Sequence, residues 1–281
     1  MKRVAVIGIV GNSVFLEVEK FHEGGETVEA KSVHFELGGK GFNQAVAAAR
    51  YGAEVSFLAA VGADSMESVS SFLNSEGIDA VLSKKKEQTA FAAIVTDKSG
   101  NNHVTVYQGA QLSVADVAAF ENQIINADVL LINNEVDEEI NEAALKIAKK
   151  NGVKVILNPA PTRKSSSYIL ENVDLFTPNE HETFGIEEKD NVIITVGKRG
   201  CIIKTENKSI PALNVGTVLD TTGAGDTFNG VLAAALAEKR ELCEAAAIAN
   251  TASSIGVTRK YAVSSIPTRK EIEEILKCKR V

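Results

Sequence analysis

The stretch Asp220-Thr-Thr-Gly-Ala-Gly-Asp-Thr-Phe-Asn-Gly230 decides how the rest of the chain is read. A glycine-rich turn runs straight into an apolar segment, so a helix is expected to start at residue 223. The first N–H groups of a helix have no partners within it and point outward. The helix dipole adds positive potential at the same end, and glycine lets an anion approach the backbone. Gly223, Ala224, Gly225 and Asp226 are therefore expected to form an anion hole for phosphate. Asp226 does not suit a pure phosphate-binding turn, because its charge repels the ligand. It suits a general base that takes the proton of an attacking hydroxyl. A helix N-cap is the other ordinary use of aspartate at such a place.

Working outward, continuous apolar runs alternate with helical patterns. Val4–Gly8, Val55–Ala60, Val129–Ile132, Val153–Leu157, Leu175–Phe176 and Val192–Val196 read as buried strands. Gly41–Tyr51, Ser65–Glu76 and Asp137–Asn151 read as helices, the last with Leu145 and Ala148 inward. Thr227–Ile255 is helical with a break near Lys239, and Pro267–Lys277 is a final amphipathic helix. This order predicts an α/β fold, a mainly parallel central sheet with helices on both faces. Two stretches, 12–37 and 90–108, alternate with period two, which marks strands with one wet face. They predict a small β-sheet lid, able to keep water from the site, or a plain antiparallel edge. No repeat or linker divides residues 1–281, so one domain is expected.

Composition narrows the function. The chain has 281 residues, 44% hydrophobic and 24% charged, enough for a packed core. A formal charge of −7 speaks against a general nucleic-acid binder. Cys201, Cys243 and Cys278 match no zinc spacing and make a poor disulfide framework, as expected for reduced thiols in the cytoplasm. The apolar run near Met1 is too short to span a membrane and lacks a cleavage site. Neither a G-x-x-x-x-G-K-[ST] loop nor a G-x-G-x-x-G turn is present, so the commoner nucleotide motifs are absent.

Gly38-Gly-Lys-Gly-Phe-Asn-Gln-Ala-Val-Ala47 resembles the N-terminal signature of the ribokinase-like (phosphofructokinase-B) carbohydrate kinases, and 220–230 resembles their C-terminal signature. Asn158-Pro-Ala-Pro161, Thr177-Pro-Asn-Glu180, Thr195-Val-Gly-Lys-Arg-Gly200 and Val257-Thr-Arg-Lys260 extend the likeness over nearly the whole chain. The resemblance implies an ATP-dependent sugar kinase with Asp226 as base. It implies that Gly11, Ser13, Gly38, Gly39, Lys40, Asn43 and Glu135 face the sugar. Asn179, Thr195, Gly197, Lys198, Gly200, Gly225 and Asn250 would hold ATP, and Glu182 would reach Mg2+ through water. Asp220, Thr222, Gly256, Arg259 and Ser265 would surround a monovalent cation, K+. Ribokinase-like dimers pair through the lid, so a homodimer is a possibility here.

The pattern fails in three places. The family's N-x-D sugar-binding motif falls on Gly11 and Ser13, with Asn12 able to compensate only if the strand shifts. A serine does not replace a carboxylate that accepts two strong bonds. The connection from Thr183 to Val192 is too short for the usual helix, so either a very short helix from Asn179 or a rearranged sheet edge is expected. Tyr261 stands where the family has glycine, and the loop there is expected to differ. These departures leave other acceptors open: a nucleoside, a keto-deoxy sugar acid or a sugar phosphate. They also leave open a catalytically weak sugar-binding protein on a kinase scaffold.

Overall fold

The computed structural model describes residues 2–99 and 101–278. In chain order the elements are β1 (Arg3–Ile7), β2 (Gly11–Val18), β3 (Ala30–Gly38), α1 (Lys40–Tyr51), β4 (Glu54–Gly62), α2 (Met66–Ser75), β5 (Asp79–Lys85), β6 (Ala90–Thr96) and β7 (Asn102–Tyr107). There follow α3 (Val114–Ala119), α4 (Glu121–Ile125), β8 (Val129–Asn133), α5 (Glu138–Lys150), β9 (Lys154–Asn158), α6 (Ser167–Asn172) and β10 (Leu175–Phe176). The chain closes with β11 (Ile193–Thr195), β12 (Cys201–Ile203), β13 (Lys208–Ile210), α7 (Ala224–Ala237), α8 (Leu242–Gly256) and α9 (Arg269–Cys278).

Six strands form the central sheet in the order β10-β9-β8-β1-β4-β5, every pair parallel. Its strands are buried on both faces, which is why they read as unbroken apolar runs. Val4, Val6, Val129 and Leu131 pack toward α1, α7 and α8, whereas Ala5, Ile7, Leu130 and Ile132 pack toward α3, α4 and α5. Helices α1 and α7 lie close together: a Cβ at Gly230 would stand 2.2 Å from the carbonyl oxygen of Gln44. Only glycine permits that approach, and it brings the two signature segments side by side.

A separate sheet, β3-β2-β6-β7, joins two antiparallel pairs through a parallel β2–β6 pairing. It is built from the two alternating stretches. Ser13, Phe15, His34 and Glu36 share one of its faces, since Ser13 pairs with Glu36 and Phe15 with His34. The opposite face carries Val33 and Phe35, exposed at 55% and 72%.

One expectation needs correction, and one pair of alternatives is decided. The strand near Val192 leaves the main sheet and forms an antiparallel sheet with β12 and β13. Between β10 and β11 there is no helix; reverse turns at Asn179–Glu182, Thr183–Ile186 and Ile186–Lys189 carry the chain. Single parallel bridges, Phe176–Val192 and Asn179–Thr195, make the step, so the rearranged edge is what occurs. Tyr261, at the position where glycine was expected, itself takes the left-handed conformation, φ 71°.

Candidate active site

The cleft lies beyond the carboxyl ends of the parallel strands, where ligands meet open α/β sheets. One part is a cavity of 190 Å³ lined by Lys40, Asn158, Thr177, Glu182, Gly223 and Asp226 among others. A larger part, 860 Å³, is lined by Gly197, Lys198, Gly200, Asn250, Phe228 and Val257 among others. Asn179, Thr195, Thr221, Ala224 and Gly225 line both, so the two are continuous.

Gly223 is the N-cap of α7, with φ 73°. Asp226 therefore sits in the first turn and is not the cap. Its side chain leaves its own helix and crosses to α1: Asn43 Nδ2 donates to Oδ2 at 2.9 Å and Gln44 Nε2 donates to Oδ1 at 3.3 Å. The residue is 7% exposed. Burial pushes its carboxyl above the usual range, while the Lys40 ammonium and the two amide donors pull it back. A partly desolvated carboxylate beside outward-pointing amide groups is suited to accepting a proton.

Glu135 follows β8 and accepts the Lys40 N–H through Oε2 at 2.7 Å. It thus caps α1, whose N-cap Gly39 has no side chain, and it does not serve its own helix. Burial first, then the nearby Asp226 charge, pushes its carboxyl up to about 7. Lys40 is held above the ordinary lysine range, chiefly by Asp226 and then by Glu135 and Glu182 against the effect of burial. Its ammonium makes no ion pair within 4 Å among the described residues, leaving it available to a ligand.

On the other wall, Asn179 and Glu182 are tied to each other: the Asn179 N–H donates to Glu182 Oε2 at 2.9 Å, and Asn179 Oδ1 accepts the His181 N–H at 2.8 Å. Asn250 donates to the carbonyl of Pro211 at 2.8 Å and lines the larger cavity. Beside the α7 N-terminus, Asp220 accepts Thr222 N–H and hydroxyl through Oδ1 at 2.9 and 2.7 Å, and Tyr261 N–H through Oδ2 at 2.8 Å. Arg259 reaches the Ser265 carbonyl and Glu271, and its N–H donates to the Gly256 carbonyl at 2.9 Å.

The chain's residues 1–269 match the model of the pfkB family carbohydrate kinases. The ribokinase of Haemophilus influenzae is 38% identical, with 98% of each chain covered. Ribokinase from Thermotoga maritima superposes with a TM-score of 0.87 at 31% identity, covering 99% of this chain and 100% of that one. Arabidopsis thaliana ribokinase, solved in complex with ribose and ATP, gives a TM-score of 0.86 at 27% identity, covering 98% and 99%.

The chain belongs to the pfkB family of carbohydrate kinases.

As a pfkB kinase of the ribokinase type, it is an ATP-dependent carbohydrate kinase, and its six-stranded parallel sheet with an added small sheet is the ribokinase fold. In this kinase β2 pairs without a register shift with β3 and β6 from Gly11 to Glu17, and Asn12 donates to Ser65 Oγ at 2.7 Å. Asn12 thus turns its amide nitrogen toward Ser65 at the start of α2. Gly11 and Gly38 pair at the junction of the small sheet with α1, and Ser13 is buried beside Gly38.

Sequence reasoning missed Gln44, fully buried, whose amide bridges Asp226 and Asn158 (3.2 Å to Asn158 Oδ1). A glutamine next to Asn43, directly ahead of the apolar run Ala45–Ala49, was the available signal. It also missed the Thr177 hydroxyl, which donates to Asn229 Oδ1 at 2.5 Å, and Asn229 Nδ2, which donates to the Gly225 carbonyl at 2.8 Å. These bonds fix the turn that starts α7.

Proposed function

We propose that the kinase transfers the γ-phosphate of ATP to a hydroxyl of a sugar held between the small sheet and the start of α1, with Asp226 as general base. The observation that carries this reading is the Asp226 carboxylate, buried, held by two amide donors from α1, and lining the cavity at the N-terminus of α7. In the mechanism, the carboxylate accepts the hydroxyl proton as the oxygen attacks phosphorus. The N–H groups of Gly223, Gly225 and Asp226 stabilise charge on the transferred phosphoryl, joined by that of Ala224 when it turns from the Thr221 carbonyl, to which it donates at 3.2 Å. Lys40 offers a positive charge from the facing wall. Gly39, Asn43 and Glu135 orient the acceptor, with Gly11, Ser13 and Gly38 forming the floor next to the small sheet. Asn179, Thr195, Gly197, Lys198, Gly200, Gly225 and Asn250 line the nucleotide side, where the larger cavity supports ATP.

Among the described residues, no three His, Cys, Asp or Glu side chains gather into a metal cage. The donors fit a magnesium ion that keeps most of its waters, with Glu182 as an outer partner: its Oε1 takes no hydrogen bond from the described residues. Bound magnesium would neutralise the phosphate charge. Oxygen donors around Asp220, Thr222, Gly256, Arg259 and Ser265 suit a potassium ion in support of the anion hole. The reading treats residues 1–281 as one ribokinase-like unit, with segments 12–37 and 90–108 as a lid that excludes water. The exposed Val33 and Phe35 face supports pairing of two lids in a homodimer. Among the described residues no helix is long and apolar enough to cross a membrane, and the three free thiols support the reducing cytoplasm as the place of action.

Ribose, bound by the Arabidopsis relative, is the first acceptor to test. A second reading, an acceptor other than ribose, is favoured by Gly11 and Ser13 at the N-x-D positions and by Asn12 being engaged with Ser65. One experiment tests both: ADP release from ATP across pentoses, deoxypentoses, hexoses, nucleosides and sugar acids, with and without potassium. Fast turnover with a sugar supports the proposal, and the best acceptor decides between the readings. Sugar binding by calorimetry with no turnover for any acceptor removes the catalytic assignment.

A further inference from the structure

Among the described residues three non-glycines have positive φ: Asn207, Lys239 and Tyr261. Asn207 lies in the β12–β13 turn and Lys239 follows the end of α7, both unremarkable turn positions. A tyrosine in this conformation is strained, and such strain persists only where surrounding contacts impose it. Those contacts come from the small sheet. The Tyr261 ring lies flat on His34, with centroids 3.7 Å apart and planes at 9°, and meets Phe15 edge-on at 5.2 Å.

Its neighbours grip the same sheet. Lys260 pairs with Glu17. Glu36, its side chain only 8% exposed, accepts the N–H of Ala262 at 2.8 Å and of Ser264 at 3.3 Å, and the Ser264 hydroxyl at 3.1 Å. Phe15, His34 and Glu36 lie on the face that carries Ser13. The other side of this loop touches the anion hole: a Cβ at Gly223 would stand 3.2 Å from the Cα and Cβ of Ala262. Asp220 holds the Tyr261 N–H and the Thr222 N–H together. Contacts therefore run without a gap from the small sheet through residues 260–264 to the N-cap of α7.

We propose that Tyr261, stacked on His34, is a positioning residue that couples the seating of the small sheet over the acceptor to the geometry of the helix N-terminus that receives the phosphoryl group. The sheet and the anion hole are then set together, so ATP is spared from water when no acceptor holds the sheet in place. This rests on the kinase reading above.

The test compares Tyr261→Gly, which removes the ring and relieves φ, with Tyr261→Phe, which keeps the stack. D-Ribose, or the fastest sugar of the panel, serves as acceptor. Tyr261→Gly is expected to raise the acceptor KM by about 3- to 30-fold, the range for residues that carry coupling between sites. Its ATP KM stays near that of the unmodified enzyme, and acceptor-free ADP release rises relative to coupled turnover. Tyr261→Phe retains the original values. His34→Ala removes the other half of the stack and reproduces the shift, and the double variant is no worse than either single one. An unchanged acceptor KM and coupling ratio in both Tyr261→Gly and His34→Ala overturns the proposal, as does additivity in the double variant. Failure of the unmodified enzyme to turn over any acceptor instead removes the kinase reading.

Discussion

Asn43 and Asp226, 183 residues apart in the chain, meet through one hydrogen bond of 2.9 Å that joins the two signature helices at the base of the cleft. The donor favours the charged carboxylate. Asn43→Ala is expected to raise the apparent pKa on the acidic limb of kcat/KM. It should also destabilise the fold by about 1.5–3 kcal/mol, the usual contribution of a bond to a charged group. A pH–rate profile and urea unfolding read the two effects separately; an acidic limb that stays in place contradicts the assignment.

Asp226→Asn keeps shape and removes basicity. We expect kcat to fall by about 100-fold or more, within the general-base range. The melting temperature should not fall, because a buried charge has been withdrawn. Near-normal turnover would take Asp226 out of the mechanism.

Lys40 lowers the Asp226 pKa that burial has raised. Activity needs the ionised base and is lost as pH falls through that raised value. Lys40→Met removes the cation, so the acidic limb of kcat/KM is expected to move to higher pH. A shift to lower pH, or none, would show that the two charges do not interact in the working enzyme.

Glu135 predicts a pH dependence of stability. Its folded pKa is about 7 against an ordinary 4.5, so the folded state binds the proton more tightly. The resulting stability is full below pH 4.5 and is lost as pH rises toward 7. The loss amounts to up to about 3 kcal/mol. Glu135→Gln, which keeps an acceptor for the Lys40 N–H, should flatten this part of the profile in urea unfolding measured at several pH values.

Gly230 faces the backbone of α1 at a distance no side chain tolerates. Gly230→Ala is expected to cost about 1–3 kcal/mol as an overpacking change. By moving Gln44 it should also reduce kcat, although residue 230 lines neither cavity. Chemical denaturation and steady-state kinetics on the same preparation check both.

The parallel sheet was legible because strands covered on both faces are apolar without interruption, as Val129–Ile132 is. The small sheet was legible because its period-two alternation shows in Val33, Phe35 and Leu37, but the face was not: Val33 and Phe35 lie on the exposed side, and the side with Ser13 and Glu36 is the covered one. Asp226 stood out because a carboxylate beside a phosphate turn has no structural necessity. Gln44 was not found, because its role depends on α1 lying against α7, a long-range contact whose only local trace is a second amide beside Asn43 ahead of an alanine-rich run. Strands β11 to β13 have three residues each, too few for a period to reveal which sheet they join. The conformation of Tyr261 could not be read either, since the stack that imposes it comes from His34, more than 220 residues away.

Where a crossover helix would normally shield the β10 edge, this chain offers turns and one inward side chain. Ile186, 4% exposed, reaches the apolar layer that contains Phe176 and Val192. It works as a peg: together with the Asn179–Thr195 bridge, this aliphatic group anchors the segment that carries Asn179 and Glu182 to the body of the protein. The cavity wall that carries Asn179 and Glu182 therefore leans on that peg's socket, and shortening Ile186 would loosen the wall from behind without altering any group that lines the cavities.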